Sequence, residues 1–227
     1  MAMMPKAKND EHEENVFWTT MSDLMLGLAV VFMTLFVLAI SGFSEQVIEQ
    51  KQQQVKASNE IVEKLKEQNI EAEIDKMTGD IKISDLELFE VNSWVLSKKG
   101  QQYLDKLVPI YIDTIFSKPE LLVGIDNVVV QGHTDSQSFS GLSTVDEQFA
   151  KNMELSLKRA NSVAQYMFKT NFDKQYSEKL RSMMAVEGKS FANPVLKEDG
   201  TEDYAKSRRV ELKLKVKRMD LSKAFGL

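Results

Sequence analysis

The feature that most constrains this chain is an uncharged apolar run near its N-terminus. Residues 24–40 have the sequence LMLGLAVVFMTLFVLAI, 17 positions without a charged side chain. As an α-helix this run measures about 25 Å, slightly less than the roughly 30 Å of a bilayer's hydrocarbon core. Phe17 and Trp18 before the run, and Phe43 after it, suit the two membrane interfaces. We therefore predict a transmembrane helix over residues 16–43.

A cleaved secretory signal is the alternative explanation of this run. Such a signal has a basic segment, a shorter apolar core and a small-residue cleavage site. Here residues 1–15 contain more acids than lysines and the run is long, which favours a polar tail followed by one retained span. Lys6 and Lys8 before the span are matched by Lys51 and Lys56 after it, so these counts do not predict the orientation.

One acid, Asp23, stands at the start of the apolar run. An ionisable side chain within a span costs free energy and by default marks an ion pathway. Alternatively, Ser22 or Asp23 is the N-cap of a helix that begins just after it. At about 100° per residue, three small or polar residues lie within about 40° of Asp23 on the helix surface, namely Gly27, Thr34 and Ser41. This stripe predicts a protein-facing seam, which is either a homodimer contact or a carboxylate that exchanges ions beside a partner.

The composition argues against several functional classes. The net charge of −5 disfavours a nucleic-acid partner. The chain contains no cysteine, which excludes disulfides, thiol catalysis and a lipid-modified N-terminal cysteine. Its only histidines, His12 and His133, are too few for a multi-histidine metal site. Ser136 has only His133 near it in sequence, so we recognise no nucleophile–base pair and expect neither an enzyme nor a cofactor.

Residues 44–70 are rich in Gln, Glu and Lys and predict a helical linker. Ile48, Val55 and Val62 recur every seven residues, and Leu65 follows three residues later. This is a short heptad pattern. It fits a helix that pairs with a copy of itself, and it fits a solvated stalk equally well.

The remaining chain, residues 71–220, predicts one α/β domain with a mixed sheet covered by helices on one face. Its first segment alternates in character around a turn at residues 78–80, which indicates a hairpin. Apolar residues at helical spacing predict two helices. Short apolar or alternating runs predict three further strands. The helices are predicted within residues 94–117 and 146–170, and the strands within 124–132, 183–188 and 208–216.

Four short blocks carry a family resemblance. They are GHTDS at 132–136, NMELSLKRANSV at 152–163, EGKSFANP at 187–194 and SRRVEL at 207–212. Their order resembles the OmpA-like peptidoglycan-binding domain. In that family a strand ends in Gly-His-Thr-Asp, a helix carries Asn-x-x-Leu-Ser-x-x-Arg-Ala, and a final strand begins with Arg-Arg-Val. The resemblance covers about residues 75–217.

This resemblance implies a pocket for the diaminopimelate end of a wall peptide, which carries a carboxylate and an ammonium group. An arginine holds a carboxylate by two parallel hydrogen bonds, and an aspartate holds an ammonium group. By resemblance Arg159 and Asp135 take these roles, and the same pocket is lined by Thr134, Asn152, Leu155 and Arg208. The structural alternatives are an Asx-turn for Asp135 and a surface helix position for Arg159. The loop at 136–151 is longer than in shorter family members, and His133 is expected to be packed.

The span and the wall-binding blocks together are similar to the B subunits of ion-driven rotary stators. The segment WTTMSDLMLGLAVVF resembles the B subunit of the Zorya anti-phage defence system more closely than that of the flagellar motor, which has Ala-Asp-x-Met after its Trp. The resemblance implies a homodimer of this chain within a pentameric ring of a multi-span A subunit. Asp23 would take up and release H⁺ or Na⁺, and the shaft would be tied to peptidoglycan.

The same resemblance sets the topology, with the N-terminus in the cytoplasm and the C-terminal domain in the periplasm of a bacterial inner membrane. Two rival functions remain open from the sequence. One is the flagellar stator B subunit, which shares the mechanism. The other is a passive membrane-tethered peptidoglycan anchor, which has no use for Asp23 in its span.

Overall fold

A computed structural model gives the structure of this protein and describes residues 8–68, 70, 72–75, 78–90 and 93–217. The chain divides into two compact units, Met1–Glu49 and Gln50–Leu227. The first unit holds most of a long helix, α1 (Lys8–Glu67), whose residues from Gln50 onward belong to the second unit.

Within the described residues, one helical segment is long and apolar enough to cross a membrane. It is Val16–Leu38, with a mean hydropathy of 2.2, and all its side chains are exposed in the single chain. Asp23 lies well inside α1, whose described part begins at Lys8. An N-cap role for Asp23 is therefore wrong, because helical backbone continues for several turns before it.

The second unit is an α/β domain. Its strands are β1 (Glu73–Ile74), β2 (Ile81–Ser84), β3 (Ile125–His133), β4 (Met184–Gly188) and β5 (Arg209–Val216). Its helices after α1 are α2 (Asp85–Leu88), α3 (Lys98–Phe116), α4 (Pro119–Gly124), α5 (Val145–Met167), α6 (Ser177–Met183) and α7 (Tyr204–Ser207), with a 3₁₀ turn at Lys174–Tyr176.

The five strands form one mixed sheet in the order β1-β2-β5-β3-β4. Among the described strands only β3 and β4 are parallel, and the other neighbours are antiparallel. The predicted hairpin is present as β1 and β2, and Gly79 in its turn has a φ of +75°, a conformation that glycine adopts without strain. These elements confirm the predicted mixed α/β fold after an N-terminal apolar helix.

Alternation along the strands separates two faces of the sheet. Val128 and Val130 of β3 and Leu212 of β5 point into the main hydrophobic core, together with the apolar faces of α3 and α5. The intervening residues, such as Gln131 and Glu211, point to the other face. The helices thus cover one face of the sheet, as the alternating pattern predicts.

Two glycines bring α5 close to the sheet. Gly132 of β3 and Gly188 of β4 are paired in register. A Cβ atom on Gly132 would lie 2.1 Å from the backbone oxygen of Ser156, and one on Gly188 would lie 2.8 Å from Ser156 Oγ. The backbone of α5 therefore reaches van der Waals contact with the strand ends, which places the next turn of α5 beside that end of the sheet.

The end of α1 packs against the domain, which differs from both expectations for the predicted linker. Ala57, Ile61 and Leu65 are almost fully buried in the same hydrophobic core as the sheet, and Ile48 is exposed. Ser58 Oγ donates to the Gly79 carbonyl of the hairpin turn. Of the heptad positions, Val62 and Leu65 are buried, Val55 is half-buried and Ile48 is exposed, so the domain covers a face of α1 that differs from the predicted heptad stripe. Residues from Gln50 onward belong to the domain and not to a free stalk.

Candidate ligand-binding site

Three charged residues meet at one end of the sheet because of the strand register. Asp85 directly follows β2, and Arg208 directly precedes the antiparallel strand β5. His133 ends β3 opposite the first residue of β5, which brings Asp135 to the same end. The Asp85 backbone N–H donates to the Arg208 carbonyl at 3.1 Å and joins the first two directly.

A fourth charged residue, Arg159, reaches this end from α5. Its Nη2 lies 3.2 Å from Asp85 Oδ2, and its Nε donates to the Ser93 carbonyl at 2.9 Å. The Phe89 ring lies 5.4 Å from its guanidinium carbon. Arg159 is only 4% exposed, so the surface-helix alternative for it is wrong.

Asp135 pairs with a different arginine. Arg208 Nη1 donates to Asp135 Oδ2, and it also donates to Gln137 Oε1 at 3.3 Å. Arg208 Nε lies 4.0 Å from Asp85 Oδ2, so the two ion pairs are joined into one charge cluster of Asp85, Asp135, Arg159 and Arg208. The Arg208 side chain is 27% exposed, compared with 4% for Arg159, and it forms the accessible part of the cluster.

The charge cluster is electrically neutral but incompletely hydrogen-bonded. Burial raises the pKa of Asp85 while Arg159 and Arg208 oppose that shift, and burial also lowers the pKa of Arg159. Asp85 Oδ1 and Thr134 Oγ1 are buried and have no hydrogen-bond partner among the residues that the structure describes. Since buried polar atoms are normally paired, these two oxygens are free to receive a donor from a ligand or water.

The other residues of the predicted pocket lie around the same end of the sheet. The Thr134 N–H donates to the Ser190 carbonyl at 2.9 Å, which ties the end of β3 to the segment after β4. Asn152 is buried, and its Nδ2 donates to the Gln148 carbonyl at 3.0 Å. Leu155 is half-buried on the same side of α5 as Asn152 and Arg159.

The segment between Asp135 and Asn152 contains both a loop and the start of the helix predicted within residues 146–170. The helix α5 already begins at Val145, with a capping box formed by Thr144 and Glu147. The preceding turns are held by Gln148, whose Nε2 donates to the carbonyls of Phe139 and Leu142 at 3.0 Å each. These residues thus form the first turns of α5 and a loop that is hydrogen-bonded to them.

Sequence reasoning missed Asp85 and the Ser93 carbonyl as members of this site. Asp85 has a recognisable signal, since it directly follows a strand with alternating character, as Asp135 follows β3 by two residues. The partnership of Asp85 with Arg159 has no such signal, because the two residues are far apart in sequence. Similarly, nothing in the blocks indicates that Asp135 pairs with Arg208.

His133 lies outside the charge cluster. It is 1% exposed, and its Nε2 is 3.0 Å from Gln131 Oε1 and 3.4 Å from Glu211 Oε2. Burial lowers the pKa of His133, while Glu211 opposes the shift. The expectation of a packed, hydrogen-bonded histidine is confirmed.

In the described part of the chain, no group of acids and histidines is placed to hold a metal ion.

The protein-facing role of the stripe formed by Asp23, Gly27, Thr34 and Ser41 stays a prediction. Thr34 Oγ1 donates to the carbonyls of Val30 and Val31, at 2.8 Å each, so its hydroxyl is satisfied within its own helix. A Cβ atom on Gly27 would meet nothing within 4 Å, which leaves room for close approach of another helix. The side chain of Ser41 lies outside the described side chains.

Comparison with known proteins adds family relationships to this geometry. The OmpA family model matches residues 88–208, which include Asp135, Arg159 and Arg208 but not Asp85. The chain is 31% identical over 212 residues to the Zorya protein ZorB of Escherichia coli strain ATCC 8739, covering 89% of this chain and 88% of that protein. It is 24% identical over 223 residues to the Zorya protein ZorB of E. coli O139:H28, covering 92% and 84% of the two chains.

A solved structure shows the same fold. A putative MotB-like protein from Desulfovibrio vulgaris superposes with a TM-score of 0.51 at 19% identity. The superposition covers 76% of this chain and 96% of that one.

Proposed function

The chain belongs to the OmpA family and to the family of the Zorya protein ZorB, and from this we propose that it is the B subunit of an ion-driven rotary motor. It spans the inner membrane once and is anchored to peptidoglycan, in a Zorya-type anti-phage defence system. The observation that carries the proposal is the charge cluster, a neutral and partly unsatisfied set of two acids and two arginines.

The charge cluster suits a zwitterionic ligand such as the diaminopimelate end of a wall peptide. A ligand end with one carboxylate and one ammonium group adds no net charge to a neutral site, so no charge is left buried without compensation. Arg208 takes the role that the resemblance assigns to Arg159, because Arg159 is buried against Asp85 whereas Arg208 has an exposed edge with donors for the carboxylate. The free Asp85 Oδ1, together with Asp135, accepts from the ammonium group.

Asp23 is the proposed ion carrier. It lies in the interior of the helix that contains the candidate span, on the stripe with Gly27 and Thr34. A carboxylate in this position is costly in lipid and is tolerated when it faces protein or an aqueous pathway. We propose that a second copy of this chain and a pentamer of a multi-span A-type subunit surround it. The N-terminus lies in the cytoplasm and the domain in the periplasm.

Peptidoglycan binding is tested by pull-down of the detergent-solubilised full chain with purified sacculi. We expect Arg208→Gln and Asp135→Asn to reduce the bound fraction strongly, because each removes a group that contacts the ligand. Arg181→Gln is the matched control, since Arg181 is an exposed arginine on α6. Wild-type binding retained by both site variants would refute the wall-peptide site.

Ion transfer is tested in cells by phage plaque counts. We expect Asp23→Asn to abolish protection at unchanged protein level, because an amide cannot bind and release a proton, and Asp23→Glu to retain part of it. Protection at wild-type level by Asp23→Asn would exclude the motor and favour the passive anchor.

A further inference from the structure

An exposed tryptophan borders the charge cluster. Trp94 is 45% exposed, and it directly follows Ser93, whose carbonyl accepts the hydrogen bond from Arg159 Nε. The next residue, Val95, is 57% exposed, so the two side chains form a small apolar surface beside the candidate site.

The position of Trp94 is held on both sides. The Ser93 N–H donates to the Glu90 carbonyl at 3.0 Å, and the Val95 N–H donates to Ser93 Oγ at 2.9 Å. Arg159 holds the carbonyl between them. These hydrogen bonds fix the backbone of Ser93 and Val95 on either side of the indole, which lowers the entropic cost of binding.

A lysine from α5 completes this surface. Lys158 Nζ lies 4.4 Å from the centre of the Trp94 ring, within cation–π range. Glu154, one turn earlier, lies 2.6 Å from the same ammonium group and orients it. On α5, Leu155 lies between Lys158 and Arg159 in angle, so the Trp94–Lys158 pair adjoins the ligand-facing side of the helix.

We propose that Trp94 and Lys158 form a saccharide subsite, which binds the glycan portion that carries the wall peptide. This inference rests on the proposed peptidoglycan binding and adds a specificity for peptide that is still attached to sugar. The electron-rich face of an indole attracts the weakly positive C–H face of a pyranose ring, which takes the place that the Lys158 ammonium group occupies over the Trp94 ring in the unbound chain. The displaced ammonium group then has donors for the hydroxyl or acetamido oxygens at the edge of the sugar ring.

The test compares two probes on the detergent-solubilised full chain by calorimetry. One is the free L-Ala–D-Glu–diaminopimelate tripeptide, and the other is the same tripeptide on a disaccharide of N-acetylglucosamine and N-acetylmuramic acid. We expect Trp94→Ala to weaken binding of the disaccharide–tripeptide by roughly three- to tenfold, the size of an aromatic contact. It should leave the affinity for the free tripeptide unchanged, and Trp94→Phe should retain part of the sugar contribution.

The control is Val123→Ala, which truncates a side chain that is 72% exposed on α4. Equal weakening of both probes by Trp94→Ala would overturn the subsite and assign the tryptophan to support of the charge cluster. The subsite is also overturned if the wild-type chain binds both probes equally. If the wild-type chain binds neither probe, the proposed wall binding fails and the subsite fails with it.

Discussion

Arg159 and Asp85 form an ion pair inside the C-terminal unit, with Nη2 3.2 Å from Oδ2 and exposures of 4% and 6%. The second pair of the charge cluster, Arg208 with Asp135, has a more accessible arginine. The buried pair therefore sets the geometry of the cluster, and the accessible pair is the one a ligand meets first. Substitutions in the Arg208–Asp135 pair are therefore expected to change ligand binding, whereas substitutions in the Arg159–Asp85 pair are expected to change stability.

Replacing Arg159 is expected to destabilise the domain, so a binding measurement on such a variant would not distinguish lost contacts from lost folding. Arg159→Leu leaves Asp85 buried without its closest cation, which costs about 3–5 kcal/mol of unfolding free energy. The double variant Asp85→Asn/Arg159→Leu should recover much of that loss, because the buried acid that remains in the cluster, Asp135, keeps its pair with Arg208. Urea denaturation of the full chain measures both. Equal stability of Arg159→Leu and wild type would show that Asp85 is solvated.

The stability of the domain should fall as the pH drops below about 6.5, the usual pKa of histidine. Because burial lowers the pKa of His133 in the folded state, the unfolded chain binds this proton first, and acid favours unfolding. The groups facing the ring are Gln131, Glu211, Arg209 and Lys213.

Burial raises the pKa of Glu211, but its hydrogen bond with His133 and its interactions with Arg209 and Lys213 outweigh burial and depress that pKa. The stability that Glu211 contributes is therefore lost only below about pH 4.5. The interval between pH 5 and 6.5 therefore lies above the titration of Glu211, and comparison with a His133 variant separates the histidine from Asp85, whose pKa burial raises. Melting temperatures across this interval should fall with acid in the wild type and stay flatter in His133→Gln. Parallel profiles for the two proteins would contradict the assignment.

Gly132→Ala is expected to be severely destabilising. Its new Cβ would lie 2.1 Å from the Ser156 carbonyl oxygen, a backbone atom of α5 that cannot move alone. Gly141→Ala is the control, because Gly141 has open space around it but a φ of +86°. That strain costs about 1–2 kcal/mol. Thermal unfolding should rank Gly132→Ala well below Gly141→Ala, and the reverse order would refute the close packing of α5 on β3.

Two isoleucines of α1 differ in burial, so the same substitution at both sites tests whether the end of α1 packs on the domain. Ile61 is fully buried against the domain, whereas Ile48 on the same helix is 55% exposed. Ile61→Ala should lower the unfolding free energy by about 2–5 kcal/mol, and Ile48→Ala should change it little. Chemical denaturation of the full chain distinguishes them, and equal effects would mean that α1 does not pack on the domain.

Much of the fold was predictable because its signals are local. Strand alternation, helical spacing, the hairpin turn at Gly79 and the four ordered blocks each involve residues close in sequence. The blocks also identified Thr134, Asp135, Asn152 and Arg159, which the structure brings to one end of the sheet. Their role toward a ligand stays a prediction.

The sequence by itself determined an apolar helix with an acid in it and an α/β domain with its strand and helix segments. Only the tertiary structure decided that Asp85 joins the cluster, that the acids and arginines pair as they do, and that α1 packs on its own domain. The reason is that such pairings depend on register and on which surfaces are nearest in space. Asp85 and Arg159 meet because β2 ends beside β5 while α5 lies against the glycines of β3 and β4. The heptad pattern of α1 likewise left its partner open, because the face that packs into the domain core, Ala57, Ile61 and Leu65, shares only Leu65 with that pattern.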